Sequence, residues 1–235
     1  MYNFSTFVIL LKCHFLLFTT FVAHGLGFEI LSNDIFQVAV NSWFEDNSAA
    51  LTTYGDLSQW DVSRVTSMDS AFYQRPTFNA DLSAWNVSKV TTLSETFYFA
   101  QAFNSDLSKW NVSKITNLER TFSEARAFNS DLSTWDVSKV TTLSDTFNYA
   151  QAFNSDLSKW KVSNVVTMSS TFQNAGAFNA DIGKWTVSSV ASLEYTFMYS
   201  TAFNADLSNW DVSSVTNMMG TFFYCSVFNA DLSKV

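Results

Sequence analysis

The sequence predicts an α/β repeat solenoid in which each coil contributes one short strand and one short helix. The first observation behind this prediction is a set of seven tryptophans that recur every 25 residues, without insertion or deletion. The second is an apolar pattern that repeats in register within every unit. A fixed period of this length is typical of solenoids, in which each unit packs only against its neighbours. The units begin at Trp60, Trp85, Trp110, Trp135, Trp160, Trp185 and Trp210.

Each unit carries seven large apolar residues at constant positions, counted from its tryptophan as position 1. Position 3 is valine, positions 13 and 19 are phenylalanine, and positions 6, 9 and 23 are aliphatic or methionine. Burying one such side chain contributes roughly 1.5–3 kcal/mol, whereas ordering each residue of the unit costs roughly 1.5 kcal/mol. A single unit is therefore not expected to fold alone, and residues 54–235 are predicted to stack as one elongated domain.

The strand of each coil is expected in the Asp-Leu-Ser-x-Trp-x-Val segment, which runs from position 22 of one unit to position 3 of the next. Its Leu, Trp and Val have the spacing of the core-facing strand in a leucine-rich repeat. The helix is expected over positions 8–16, because positions 9, 13 and 16 fall on one helical face. Stacked strands would rise about 4.8 Å per coil.

The first 25 residues differ from the rest of the chain. Residues 1–25 are mostly apolar and end in small residues, with Ala23 and Gly25 at the positions of a cleavage site, which predicts a secretory signal peptide. An uncleaved signal anchor is the alternative, since the segment is long enough to span a membrane. Lys12 near its middle disfavours the anchor, because a buried lysine costs roughly 2.5–3.5 kcal/mol on insertion.

A helical cap is predicted between the signal and the repeats, over residues 26–53. Asn33 or Asp34 is expected to cap a helix that ends near Phe44, since apolar residues recur there every three or four positions. Such a cap would cover the apolar edge of the first coil, which a terminal repeat must shield from water.

The repeated motif resembles that of a known group of surface proteins. Trp-Asp-Val-Ser-x-Val-Thr-x-Met/Leu, then Phe, then Ala-Phe-Asn-x-Asp-Leu-Ser is similar to the 25/26-residue repeat of bacterial BspA-like leucine-rich-repeat proteins, which also occurs in mycoplasma surface lipoproteins. The resemblance covers residues 54–235 and implies a leucine-rich-repeat-like solenoid at a cell surface, with adhesion or partner binding as the usual assignment. It implies no catalytic residues. The chain departs from the lipoproteins because it has no cysteine at a plausible lipoprotein cleavage site.

Charge and residue usage exclude several classes of function. The formal net charge of −8 argues against a nucleic-acid partner, which requires clustered Lys and Arg. The only two histidines, His14 and His24, lie in the predicted signal, so no His-based triad or metal site is expected in the mature chain. We therefore expect no enzyme activity, no bound metal and no cofactor.

Two functions remain consistent with the sequence. The first is a secreted or cell-surface repeat protein that mediates adhesion or binding to a protein or glycan partner. The alternative is a structural surface protein that self-associates through open coil ends and has no specific ligand. A membrane would be contacted only through an uncleaved signal anchor. Ice binding by outward Thr and Ser rows is disfavoured, because Val166 and Ala191 interrupt those rows.

Position 15 supplies the candidate partner-binding residues. Four of its side chains are aromatic and are expected to form an exposed row along one side of the coils, which would suit a partner. The alternative is that these rings only pack on one another between adjacent coils. The four residues are Phe99, Tyr149, Tyr199 and Tyr224.

Two further sets of polar residues are candidates for modification or ion binding. Asn86 and Asn111 lie in Asn-Val-Ser sequons and would be glycosylated only if a eukaryote secretes the chain. The aspartate at position 22 recurs in every unit and predicts a structural ladder of carboxylates that accept backbone N–H bonds. Calcium between the coils is the alternative. The ladder consists of Asp81, Asp106, Asp131, Asp156, Asp181, Asp206 and Asp231, with Asp56 before it.

Overall fold

The structure is a computed structural model that describes residues 32–230 and Leu232. The predicted signal peptide at 1–25, the first residues of the predicted cap and Asp231 lie outside the described residues. Two helices open the described chain, α1 at Asn33–Glu45 and α2 at Asn47–Tyr54. A 3₁₀ turn at Leu57–Gln59 leads into the first unit.

The start of α1 differs from the prediction in which residue caps it. The cap is Ser32, whose Oγ accepts the N–H of Ile35 at 3.3 Å. Neither Asn33 nor Asp34 caps the helix. The side chain of Asn33 instead turns to the first unit, where its Oδ1 accepts the backbone N–H of Thr66 at 2.9 Å.

Helix α1 packs its apolar face on the edge of unit 1. Phe36 is buried. Trp43 meets Trp60 edge-on with ring centroids 6.2 Å apart, and Phe44 meets Phe78 in the same way at 5.6 Å. Edge-to-face contacts of this kind are worth about 0.5–1.5 kcal/mol beyond the area they bury. The helix therefore shields the aromatic layer of the first unit from water.

The strand expected at positions 22 to 3 is not formed in the described repeats. Two tight turns occupy this part of the unit, because Trp85 N–H donates to the Leu82 carbonyl at 3.1 Å and Val90 N–H donates to the Val87 carbonyl at 2.9 Å. Parallel β-pairing between units is limited to one residue per unit, at position 8. The bridged residues are Ser67, Thr92, Asn117, Thr142, Thr167, Ser192 and Asn217.

The helix expected at positions 8–16 is likewise not formed, and its place is taken by consecutive turns. Backbone N–H groups alternate here between two acceptors. Thr96 N–H donates within its unit to the Leu93 carbonyl at 3.0 Å, whereas Phe97 N–H donates to the Thr121 carbonyl of the next unit at 2.9 Å. A helix directs its N–H groups beyond the first turn to carbonyls of the same helix, whereas the alternation here leaves about half of these donors to join neighbouring units.

The core consists of aromatic columns that run through the units. Phe122 stacks on Phe147 of the next unit with centroids 5.7 Å apart, and on Phe128 of its own unit at 3.9 Å. Trp135 stacks on Trp160 at 6.4 Å. The columns bury these side chains almost completely. Residues 25 apart in the sequence are therefore direct neighbours in space.

Polar atoms at the edge of this core have partners in an earlier unit. The Nε1–H of Trp135 donates to the Leu107 carbonyl, 28 residues earlier, at 3.1 Å. Buried Thr146, at position 12, donates from Oγ1 to the carbonyls of Leu118 and Leu143 at 3.0 and 2.8 Å. Both bonds recur from unit to unit, so burial of these groups leaves no unpaired donor. Because the described residues contain two helices and no strand, the leucine-rich-repeat-like solenoid stays a prediction.

Candidate interaction surface

Position 15 has an unusual backbone conformation in all seven units. Its φ angle lies between 53° and 61°, the left-handed region that disfavours side chains as large as tyrosine. In units 1–6 the N–H of this residue donates to a carbonyl of the next unit, as from Tyr149 to the Gln173 carbonyl at 2.7 Å, and this bond helps to hold the conformation. The residues at this position are Gln74, Phe99, Glu124, Tyr149, Asn174, Tyr199 and Tyr224.

The four predicted partner-binding residues do not form one continuous row. Phe99 and Tyr149 are half-buried, whereas Tyr199 is 38% exposed and Tyr224 is 63% exposed. Glu124 lies between Phe99 and Tyr149, and Asn174 lies between Tyr149 and Tyr199 at the same position. Among the described residues, only the last two rings of the row contact each other.

Those two rings belong to a group that we call the C-terminal aromatic patch, formed by Tyr199, Phe223 and Tyr224. Tyr199 stacks on Tyr224 with centroids 4.9 Å apart and an interplanar angle of 15°. Phe223 meets Tyr224 edge-on at 4.5 Å and Tyr199 at 6.0 Å. Phe223, at position 14, is 51% exposed. The patch thus presents three mutually supported rings to solvent.

A second, less exposed aromatic group lies near the start of the repeats. Tyr73 and Tyr98 are 5.2 Å apart, and Tyr98 meets Phe99 edge-on at 6.3 Å. Only Tyr73 exceeds one third exposure. Phe99 therefore packs mainly against its neighbour, and its group offers a partner less apolar surface than the C-terminal aromatic patch.

Asn86 and Asn111 are exposed at position 2, the first residue after each tryptophan. Their Oδ1 atoms accept the backbone N–H of Ser88 and of Ser113, each at 3.2 Å. Both residues line a shallow depression of about 420 Å³, together with Lys109. The amide nitrogens of both side chains have no acceptor among the described residues, so they are available to a modifying enzyme or a ligand.

The aspartates at position 22 act on the backbone of their own turns. The Oδ1 of Asp106 accepts the N–H of Ser108 at 2.9 Å, and the same bond forms at every described member of the ladder. Hydrogen bonds from Ser108 hold the pKa of Asp106 below its usual range, with a smaller contribution from the charge of Lys109. Within residues 32–230 no group of three acidic, His or Cys side chains is placed to hold a metal ion.

The lysines recur on one part of each unit, which the net charge of the chain does not reveal. Every lysine among the described residues is exposed and lies at position 25, 2 or 5, in or beside the two tight turns of its unit. The recurrence of lysine at those three positions is visible in the sequence and could have predicted this surface, whereas the net charge of −8 argued against a basic surface. These residues are Lys89, Lys109, Lys114, Lys139, Lys159, Lys161 and Lys184.

None of the helices in the described part is long and apolar enough to cross a bilayer.

Comparison with known proteins gives a family for the chain. No curated protein matches the sequence. The family described as "Mycoplasma protein of unknown function, DUF285" matches residues 38–160 and, with overlap, residues 130–235. These matches cover well over half of the chain and most of its repeats, so the chain belongs to the family described as "Mycoplasma protein of unknown function, DUF285".

Proposed function

We propose that the chain is a non-enzymatic, secreted or cell-surface repeat protein that binds a protein or glycan partner. The observation that carries this proposal is the C-terminal aromatic patch, in which Tyr199, Phe223 and Tyr224 are exposed together. The proposal includes a leucine-rich-repeat-like solenoid of the BspA-like kind. Stacked ring columns and unit-to-unit hydrogen bonds support that architecture.

The patch has the chemistry of a recognition surface. Tyrosine and phenylalanine are enriched at the centres of protein interfaces, where they bury large rings and lose little conformational entropy. Burying one such ring contributes roughly 1.5–3 kcal/mol. The left-handed backbone at Tyr199 and Tyr224 and the contacts among the three rings hold the surface in place before a partner arrives. Preorganisation of this kind lowers the entropic cost of binding.

Two features of the sequence support the cellular location and the lack of catalysis. The apolar residues 1–25 have the composition of a secretory signal. The only histidines, His14 and His24, fall within that segment. The repeats also place the same few polar residues at the same positions in every unit, whereas a catalytic site requires a unique constellation.

A binding screen tests the proposal. The full chain would be applied to arrays of glycans and of cell-surface proteins, beside the triple variant Tyr199→Ala, Phe223→Ala, Tyr224→Ala. We expect the variant to lose at least about tenfold in affinity for any captured partner, which corresponds to about 1.4 kcal/mol.

A matched control removes three exposed apolar side chains outside the patch, with Val38, Leu51 and Val166 changed to Ala. We expect this control to bind like the wild type, and urea unfolding would show that both variants fold. Equal binding by the patch variant and the wild type would refute the proposed surface. A reporter fusion that stays in the cytosol would refute the location.

A structural protein that self-associates is the second candidate, favoured by the apolar side chains exposed in unit 7. Met218, at position 9, is 45% exposed, whereas Met168 at the same position of unit 5 is fully buried. Helix α1 covers the edge of unit 1, so this candidate places the self-association surface on the exposed apolar side chains of unit 7. Sedimentation velocity across a concentration series tests this candidate. Met218→Lys would abolish a concentration-dependent dimer, and a wild-type chain that stays monomeric throughout would exclude it.

A further inference from the structure

The lysine face is formed by the seven exposed lysines at positions 25, 2 and 5, and it runs along the turns of the units beside the position 22 aspartates. Arg64 extends it at position 5 of unit 1, so that Arg64, Lys89, Lys114 and Lys139 form one row across four successive units. Neighbouring units lie on the order of 5 Å apart. Four cations therefore follow one another along one edge of the stack.

The lysines of this row add no salt bridge to the described part of the fold. Lys89 and Lys114 are exposed and form no ion pair with any described residue. Ion pairs in the repeats form at Arg120 and Arg126, which lie on other turns of their unit. Like charges at this spacing repel each other by roughly 1 kcal/mol per pair in water. An anionic ligand would relieve that repulsion, and its charges would need to recur along the stack.

Neutral hydrogen-bonding groups are interleaved with the lysines. Asn86 and Asn111 at position 2 take the place that Asp61 and Asp136 hold in the flanking units. The Nδ2 donors of the two asparagines lie beside Lys109 in the shallow depression. In units 2 and 3 the face thus combines cations with uncharged donors and carries no acid at position 2.

We propose that the lysine face binds an acidic polysaccharide, with lysines paired to its sulfate or carboxylate groups and the asparagines bonded to its hydroxyls. This surface is separate from the C-terminal aromatic patch, so the two proposals can fail independently. The pattern matches a chain in which anionic groups alternate with the hydroxyl groups of sugar rings.

Two other polyanions fit the surface less well. A DNA strand has no free hydroxyl groups between its phosphates, so it would not supply the hydroxyl partners proposed for Asn86 and Asn111. An anionic bilayer normally also takes up apolar side chains. The exposed large apolar residues of the described chain all lie at other positions of the unit or on α1 and α2.

The test measures binding of the full chain to dextran sulfate by calorimetry at low ionic strength, with unmodified dextran as the neutral control. The triple variant Lys89→Gln, Lys114→Gln, Lys139→Gln removes three charges that form no salt bridge with a described residue. The matched variant changes the same residues to Arg and keeps the charge. We expect dextran sulfate to bind, the Gln variant to lose about tenfold or more in affinity, and the Arg variant to stay within about threefold of the wild type.

Three outcomes would overturn the proposal. One is the absence of dextran sulfate binding, and another is equal affinity of the Gln variant and the wild type. The third is binding of a single-stranded oligodeoxynucleotide, or of vesicles that contain phosphatidylserine, as tightly as dextran sulfate. Loss of partner binding by the aromatic variant with unchanged dextran sulfate binding would leave this proposal intact, because the two surfaces are distinct.

Discussion

The side chain of Asn33 accepts the hydrogen bond from Thr66 N–H that the main chain of a preceding unit accepts elsewhere in the repeats. Its Oδ1 accepts the Thr66 N–H at 2.9 Å, and its Nδ2 donates to Thr66 Oγ1 at 3.0 Å. In the next unit, the N–H of Thr91 donates to the Thr66 carbonyl at 2.8 Å. One amide on α1 therefore replaces the missing backbone at the first edge of the stack.

Replacing Asn33 with Ala should lower the free energy of unfolding by about 1 kcal/mol, because the N–H of Thr66 loses its acceptor. Asn33→Asp keeps an acceptor oxygen and should lose less. Urea denaturation followed by tryptophan fluorescence measures both changes. Asn41→Ala, an exposed position on the same helix, serves as the control and should be neutral or slightly stabilising. Equal losses in Asn33→Ala and Asn41→Ala would contradict the role of the amide.

Thr146→Val should destabilise the fold by about 1–2 kcal/mol, since Thr146 Oγ1 is buried and donates to carbonyls of two units. Valine has nearly the same shape, so packing changes little. Thr141→Val in the same unit is the matched control, because that hydroxyl is exposed and Val166 already occupies the same position in unit 5. We expect the control to change stability by less than about 0.5 kcal/mol. Urea midpoints that fall equally for both variants would argue against the buried bonds.

The stability of the chain should decline in acid through the aspartate ladder. Hydrogen bonds hold the pKa of Asp81, Asp106 and Asp156 below the unfolded value of about 3.9. Their stabilising contribution is therefore complete above that pH and is lost as the pH falls through the lower pKa of the folded state. Urea unfolding between pH 7 and pH 2.5 should show this decline.

Asp106→Asn isolates one member of the ladder. The amide oxygen still accepts the N–H of Ser108, as Asn86 and Asn111 accept theirs in the other turn. The variant should differ from the wild type at pH 7 and converge with it at low pH. A constant difference between the two across the whole pH range would show that Asp106 does not titrate in this way.

The thiol of Cys225 should react slowly in the native protein. Burial raises its pKa to about 11, and its Sγ donates to the Phe197 carbonyl at 2.7 Å. Because the thiolate is the reactive species, iodoacetamide at pH 8 should alkylate Cys225 slowly until urea is added. Peptide mapping by mass spectrometry reports the extent at that residue. A Cys225→Ala, Ser226→Cys variant moves the thiol to an exposed neighbour, and it should react quickly in the native protein.

The repeat and its core were readable from the sequence because apolar positions recur in register. A column such as Phe122 on Phe147 follows directly from phenylalanine every 25 residues. The backbone conformation between those positions could not be predicted from the sequence. Positions 9, 12, 13 and 16 are buried in most units and have helical spacing, but turns closed by a bond three residues back produce nearly the same periodicity.

The left-handed residues explain why the helix prediction was wrong. Glu95 and Tyr149 both have φ angles near 56°, although neither residue type favours that region. Among the left-handed positions of the described repeats, residue types that tolerate this region occur at Asp145, Asn174 and Gly220. The bonds from one unit to the next override local preference, and a single sequence does not display them. The gaps in the aromatic row, by contrast, were visible as Glu124 and Asn174.

Most hydrogen bonds between units use main-chain atoms or residues that are the same in every unit. From Trp85 onward, the indole N–H of each repeat tryptophan donates to a main-chain oxygen 28 residues earlier, and that oxygen always belongs to the Leu or Ile of the repeat, so this bond does not distinguish one unit from another. Contacts that are specific to one pair of units require side chains that differ between units. Arg120 does so, because it reaches back to Glu95 at 3.1 Å and forward to Asp145 at 3.6 Å. The covalent chain sets the order of the units, and Arg120 adds ion pairs that only this succession of units 2, 3 and 4 provides.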